Sequence, residues 1–400
     1  MLKVLVADIF PEEKQEELKS LGMEVKYQPK CSPDELGDVL KGMNILCVRS
    51  TKVTAEALQD ARDLMLIIRV GSGVNTIDVK AASEMGIYVA NCPGKNAIAV
   101  AELAAGLIVS ADRRIPQATA SLRSGKWEKK KYAQADGLKG KSVGIVGIGR
   151  IGREVLKRLR GFDLEAYVFS EDFTKKDAKE LGVIYCETLQ ELVKQVDIVT
   201  THVPYLESTH HLFNKDIFSL MKENTIFVNT SRGKIHDQEA LLEAMNTKGI
   251  RAALDVFDQE PSSSTADFSA EIVDHPNFIG TPHIGASTRQ AQLAVADEAL
   301  RIIRTFMSKG TVPNCVNLVV NTKACCQMII RHYNKVGVLA AVMDLLKEED
   351  INIETMSNTI FQSGLAAVAS MRLDQIPPQS VIDRLEKRDD LILQVTVNPL

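Results

Sequence analysis

No stretch of roughly 18 apolar residues occurs in this chain, so no segment is expected to cross a membrane as a helix. The N-terminus, Met1-Leu-Lys-Val-Leu-Val-Ala-Asp8, lacks the basic region, apolar core and small-residue cleavage site of a secretory signal and is expected to form a first strand. Neither sign of charge dominates: 48 Lys and Arg stand against 52 Asp and Glu, a net charge of −4. That balance gives no general affinity for nucleic acid or an anionic membrane, so any anion the protein handles must be held by a local cluster of cations. Aromatic residues are few, and no fixed-period repeat or low-complexity tract is present. The seven cysteines (31, 47, 92, 186, 315, 325 and 326) form no CxxC pair, and no histidine stands at metal-ligand spacing from them. Reduced thiols in a cytoplasmic protein without a metal site are the expectation.

What the chain does have is length and alternation. Its 400 residues exceed one ordinary core and imply two or three domains. Short apolar runs (4–7, 45–48 and 66–70) alternate with amphipathic segments such as 12–21, the pattern of a parallel sheet covered by helices on both faces. A stretch about 99–122, apolar all round at Leu103, Leu107 and Ile108, is expected to be one long helix buried between domains or subunits. A second α/β unit opens at Lys141, with buried-strand runs at 165–169, 198–201, 226–229, 252–256 and 278–281. The last 80 or so residues change style. Strand, helix, hairpin about Gln362-Ser-Gly364, helix and strand follow in the order βαββαβ, a ferredoxin-like module over residues 322–400.

Gly147-x-Gly149-x-x-Gly152 follows the strand Val143–Val146 and precedes the helix Arg153–Arg160. The first glycine permits a tight turn, the second lets backbone N–H groups approach a pyrophosphate, and the third lets helix and strand pack closely. With Arg150 and Ile151 at the helix start, this is the expected dinucleotide cradle. NAD-selective sites usually end the next strand with a carboxylate for the ribose hydroxyls, but here Glu165–Phe169 ends on Ser170, followed by Glu171 and Asp172. Glu171 can serve in its place, whereas Ser170 with Lys175 and Lys176 can accommodate a 2′-phosphate.

Three polar residues stand at the ends of successive strands, where open α/β sheets collect ligands: Arg232, Glu260 and His283. An arginine clamps a carboxylate with two parallel hydrogen bonds. A histidine takes a hydroxyl proton as hydride leaves the same carbon. A carboxylate on that imidazole fixes its tautomer. Together they meet the needs of 2-hydroxy acid oxidation. The remaining histidines have blander expectations: His202 lines the cofactor cleft without chemistry, and His210, His211, His236 and His275 lie at the surface or at strand ends.

The runs Val-Asn-Thr-Ser-Arg-Gly, Ala-Leu-Asp-Val-Phe-Asp-Gln-Glu-Pro and Thr-Pro-His-Ile-Gly-Ala-Ser-Thr closely resemble the D-isomer-specific 2-hydroxyacid dehydrogenase family. So do Gly71-Ser-Gly-Val-Asn-Thr-Ile-Asp78 and Asn91-Cys-Pro-Gly-Lys-Asn96 with Val100-Ala-Glu102, and the set covers about residues 45–320. The resemblance implies NAD as cofactor. It assigns Arg232 to the substrate carboxylate and α-oxygen, His283 to acid/base work, Glu260 to orienting it, the backbone of Gly73 and Val74 to the carboxylate, and Asp255 to the nicotinamide amide. It also implies two doubly wound parallel-sheet domains: a discontinuous substrate domain (1–97 and 286–317) and an inserted Rossmann domain (98–285).

Within the family, Arg49-Ser50 matches the phosphate contact of members acting on D-3-phosphoglycerate, and Lys130 and Lys131, in the cationic run from Gly125 with Trp127 and Lys129, match a segment that reaches across the dimer. A solvated surface turn is the competing reading of that run. The tail resembles an ACT domain, and His332, Asn334 and Asn352 stand where serine-inhibited members hold L-serine, although Val336 replaces the proline usual before Gly337. The expected assembly is a homodimer or homotetramer. A glyoxylate or hydroxypyruvate reductase, and an NAD(H)-sensing transcriptional corepressor on the same fold, remain as alternatives; the corepressor reading does not account for the tail.

Overall fold

The short β-branched runs of the sequence become strands buried on both faces. In the computed structural model, which describes residues 1–29, 31–261 and 265–400, the chain divides into two compact units, residues 1–317 and 318–400.

The first unit holds two sheets. In the first, β1 (Lys3–Val6), β2 (Glu24–Tyr27), β3 (Ile45–Val48), β4 (Leu66–Arg69) and β5 (Tyr88–Asn91) run parallel in the order β2-β1-β3-β4-β5. The two-residue side-chain period of a strand sends Leu46 and Val48 to one face, against Leu36, Leu40 and Leu58. Ile45 and Cys47 go to the other, against Leu18 and, from much later in the chain, Ala296, Ala299 and Ile303. Those three lie on the helix Arg289–Lys309, so the chain returns to its first sheet after building the second. Beyond that helix, Cys315 bridges to Ala90 and the Val316 N–H donates to the Val89 carbonyl.

The second sheet comprises β6 (Ser142–Val146), β7 (Glu165–Phe169), β8 (Ile184–Tyr185), β9 (Ile198–Thr201), β10 (Ile226–Asn229), β11 (Arg251–Leu254) and β12 (Phe278–Gly280), all parallel, in the order β12-β11-β10-β9-β6-β7-β8. Strand order reverses at β6, which leaves a crevice at its carboxyl end. The helix expected over 99–122 is two helices, Ala97–Arg113 and Ile115–Arg123, broken at Arg114 with φ 52°. Pro116 has no N–H to continue the ladder, so the chain turns rather than carry an unpaired helix interior. Leu107 and Ile108 pack against β6, β10 and β11 of the same chain. That sheet meets the need for burial; shortening Ile108 to Ala would cost about 2–5 kcal/mol.

The second unit is antiparallel. Strands β13 (Cys326–Tyr333), β14 (Ile353–Ile360), β15 (Ala366–Leu373) and β16 (Ile392–Pro399) lie in the order β14-β15-β13-β16, with the helices Val338–Glu348 and Gln379–Glu386 completing βαββαβ. Alternate residues of β13 (Cys326, Met328, Ile330 and His332) are buried. The edge strand β14 is largely exposed.

Candidate active site

Apart from Lys130 and Lys131, the residues singled out in the first unit follow carboxyl ends of parallel strands. The turn after β12 carries His283, whose imidazole Nδ1 lies 2.6 Å from Glu260 Oε2. With the carboxylate on Nδ1, that nitrogen carries the hydrogen and Nε2 is left as the basic position. Burial pushes the Glu260 carboxyl up. The hydrogen bonds from His283 and from the Phe257 N–H (3.0 Å), with the charges of His283 and Arg232, outweigh burial and hold it below the usual carboxylate range. Glu260 therefore stays an anion beside the imidazole.

His283 has φ 52°, in the left-handed region, and Asp255 holds it there. The Asp255 carboxylate, 1 % exposed at the end of β11, accepts from Thr281 Oγ1 at 2.6 Å, the Ile284 N–H at 2.8 Å and the Gly285 N–H at 2.9 Å, while its carbonyl accepts from the His283 N–H. These bonds grip the turn on both sides of the histidine, and Oδ2, which among the described residues accepts only from Gly285, keeps capacity for the nicotinamide amide expected at Asp255.

Arg232 follows β10 in a loop that passes close to the segment carrying Glu260. An added Cβ at Gly233 would collide with the backbone of Phe257, which is why glycine follows the arginine. The exposed guanidinium reaches toward the first sheet, where a Cβ at Gly73 would lie 3.4 Å from Arg232 Nη2. The N–H groups of Gly73 and Val74 have no partner among the described residues, which leaves them available to a carboxylate.

The first sheet adds cations. Arg49 ends β3 and is half-buried; burial pulls its guanidinium pKa down, opposed by the neighbouring Asp8. Arg69, at the end of β4, was not singled out from sequence. Burial lowers its pKa, as do the charges of Arg232 and Arg49, and its buried Nε has no partner among the described residues. Arg49, Arg69 and Arg232 thus form a run of positive charge along the cleft. The Ser50 hydroxyl donates to Asp8 Oδ1 at 2.7 Å, while Asp8 Oδ2 accepts from the N–H groups of Arg49, Ser50 and Thr51 at 2.7–3.0 Å. Asp8 was also missed. Strand-end position alone, applied to β1 and β4 as it was to β3 and β10, would have found both residues.

The glycine fingerprint fits a dinucleotide. Gly147 has φ 89°, a Cβ at Gly152 would collide with the Gly147 carbonyl, and nothing lies within 4 Å of where a Cβ on Gly149 would sit. Gly149 is the N-cap of the helix Arg150–Leu159 and brings no side-chain cap, so the first N–H groups of that helix are free for a pyrophosphate. Ile151 is half-buried, and the Arg150 side chain lies against Gly94. Ser170, Glu171 and Asp172 follow β7, both carboxylates exposed. Of the competing lysines, Lys175 Nζ stands over the Tyr185 ring at 6.0 Å, and Lys176 is exposed, 4.0 Å from Glu180.

Other expectations change. His236 is buried, not superficial; burial, with a smaller effect of His211 and against Asp237, pushes its pKa down to about 4. Burial takes His202 to about 3. In the short helix Lys129–Tyr132, Lys131 is 3.3 Å from Glu128, whereas Lys130 and Trp127 are exposed. In the second unit, His332 and Asn334 lie at one end of the sheet and Asn352 at the other: His332 pairs across to Ala367, whereas β14 begins opposite Leu373. Six residues of strand separate them, about 20 Å. The three do not form one pocket within a chain. His332 Nε2 instead meets Asn358 Oδ1 at 3.0 Å, Asn334 Nδ2 donates to the Gly364 carbonyl, and Asn352 Nδ2 donates to Glu354. Among the described residues no group of three or more His, Cys, Asp or Glu could hold a metal ion, and no helix is long and apolar enough to cross a membrane.

Residues 105–285 match the family model of the D-isomer specific 2-hydroxyacid dehydrogenase NAD binding domain. The chain is 40% identical over 318 residues to the D-3-phosphoglycerate dehydrogenase of Methanocaldococcus jannaschii, covering 78% of this chain and 59% of that one. It is 42% identical over 272 residues to the hydroxypyruvate reductase of Thermotoga maritima, covering 68% of this chain and 87% of the relative. The crystal structure of the TT0316 protein from Thermus thermophilus superposes with a TM-score of 0.71 at 30% identity, over 79% of this chain and 100% of that one. The chain belongs to the D-isomer-specific 2-hydroxyacid dehydrogenase family and carries its NAD-binding domain. It spans about three fifths of the length of the phosphoglycerate dehydrogenase it matches.

Proposed function

We propose that this protein oxidises D-3-phosphoglycerate to 3-phosphohydroxypyruvate with NAD, the first step of a phosphorylated route to L-serine. One observation carries the reading: the His283–Glu260 pair faces Arg232 in a cleft where Arg49 and Arg69 add two further cations from the first sheet. Arg232 and the N–H groups of Gly73 and Val74 hold the substrate carboxylate and align C2. Nε2 of His283 takes the C2 hydroxyl proton, and the imidazolium is stabilised through Nδ1 by Glu260. Bound NAD, held at Gly147–Gly152 and along Ser170–Glu171, supplies the acceptor for the C2 hydride. Arg49 and Arg69 bind the phosphate in a protein with no general attraction for anions. In this reading residues 1–97 and 286–317 serve the substrate, 98–285 the cofactor and 322–400 regulation. Seven free thiols support a cytoplasmic location.

The resemblance to a hydroxypyruvate reductase supports the runner-up, an unphosphorylated substrate. Assay with 3-phosphohydroxypyruvate, hydroxypyruvate and glyoxylate, each with NADH and NADPH, decides between them. The highest kcat/KM is expected for 3-phosphohydroxypyruvate with NADH; a higher value for either unphosphorylated acid selects the reductase.

L-serine is the proposed effector, at a site shared between two copies. β14 is an edge strand with exposed Met356 and Ile360. Antiparallel pairing of β14 with β14 of a second copy would bring Asn352 of one to the Ile360 end of the other. That end lies across from Ala367, where His332 is. Lys130 and Lys131 are proposed to act likewise, from one copy into the cleft of another.

A further inference from the structure

The loop that carries Arg232 is shaped by a buried amide. Asn229, fully buried at the end of β10, accepts the Ser231 N–H on Oδ1 at 2.9 Å, and its Nδ2 lies 2.9 Å from the Arg232 carbonyl and 3.0 Å from His236 Nδ1. The carbonyl can only accept, so Nδ2 is the amino end and its second hydrogen points at the imidazole. His236 must therefore offer Nδ1 as an acceptor and carry its own hydrogen on Nε2, which has no hydrogen-bond partner among the described residues. Among the described residues only the Asn229 amide selects that tautomer. Around the ring stand Phe227, edge-on at 5.8 Å between centroids, and the backbone that bridges to Phe213. Burial, with His211 acting in the same direction and Asp237 opposing, keeps the ring neutral, the form in which Nδ1 can accept.

We infer that His236 is a positioning residue for substrate binding: by accepting the second Asn229 amide hydrogen it locks the amide that holds the Arg232 carbonyl, and so sets the direction of the Arg232 guanidinium. The inference rests on the proposed role of Arg232 in binding the substrate carboxylate. Without the acceptor, one buried N–H is unpaired and the amide can turn to seek another partner, releasing the Arg232 main chain. Neither Asn229 nor His236 makes a hydrogen bond to His283, Glu260 or the glycine cradle among the described residues, so substrate affinity should change and cofactor affinity should not.

The test is steady-state kinetics of full-length H236L, which keeps an apolar volume and removes the acceptor, beside H236Q, whose amide oxygen can accept. H236L should raise KM for the 2-oxo acid roughly tenfold, the scale of one unpaired buried amide hydrogen, with kcat and the NADH dissociation constant within about twofold of wild type. H236Q should recover most of the loss, and H236L should add nothing in an N229A background. If H236L fails to fold, H236M against H236Q gives the same comparison. Wild-type KM in folded H236L, a fall in kcat alone, no rescue by H236Q, or additive effects of N229A and H236L would each overturn the inference. Wild-type KM in R232K overturns instead the reading on which it rests; a severe R232K beside a silent H236L overturns only the role of His236.

Discussion

The two units of this molecule place their singled-out residues differently with respect to strand ends. In the parallel sheets of the first unit every strand runs the same way, so residues far apart in sequence finish at one end: Arg49, Arg69, Arg232, Asp255 and His283 stand at or just after the ends of β3, β4, β10, β11 and β12. In the second unit β13 and β14 are both antiparallel to β15 and so run the same way, which puts the end of β13 and the start of β14 at opposite ends of the sheet; His332 and Asn352, only 20 positions apart in sequence, are separated by its full length. Ends of parallel strands gather within one chain, whereas the end of one strand and the start of another that runs the same way do not meet.

The largest expected effect tests the gathered site. His283→Ala should lower kcat by roughly 10²–10⁴, the scale of a lost general acid/base, with NADH affinity little changed; near-normal turnover would remove His283 from the chemistry. Next are the two cations from the other sheet. Arg49→Ala and Arg69→Ala should each raise KM for 3-phosphohydroxypyruvate by about 10–100-fold, the worth of a charge-assisted hydrogen bond or two, and leave KM for hydroxypyruvate nearly unchanged. Equal rises for both acids would make the arginines structural.

Asp255→Asn comes third. An amide presents one acceptor where three donors converge, so the turn should shift and kcat fall about tenfold without weakening NADH binding, on the scale of one broken charged contact. A selective rise in the NADH dissociation constant would assign Asp255 to the cofactor instead. The smallest effect probes the antiparallel unit. His332→Ala and Asn352→Ala should each abolish serine inhibition alone, yet equal mixtures refolded together should regain part of it, because one of the two shared sites in a mixed pair keeps both residues. A coupling of about 1–3 kcal/mol makes the regained inhibition measurable. A site within one chain predicts no recovery, and no heat of serine binding to the wild type predicts a tail that only assembles.

Most of the parallel unit was legible because its signals are local. A buried run followed by glycines or a lone charge announces a strand end, and the rule that ligands collect there does the rest. The helix break was legible in principle at Pro116, but the apolar pattern continued through it and masked the turn. Asp255 and Ser50 also bind the turn around His283 and Asp8, respectively, partners that no spacing reveals. His236 looked like a loop histidine; only the three-dimensional path of the Arg232 loop buries it. The serine trio matched in sequence, and register across the sheet decided that one chain cannot unite it.

The left-handed backbone at His283 has a consequence for how the protein fails. A non-glycine residue there costs on the order of 1–3 kcal/mol, and this one persists because a single buried carboxylate grips the turn on either side of it. The conformation of the acid/base group is thus a loaded spring rather than a resting position. Urea or heat that loosens the Asp255 contacts will let the turn relax before the sheets separate. Activity should vanish at a lower denaturant concentration than the far-ultraviolet circular dichroism, and return on dilution without any refolding of the core.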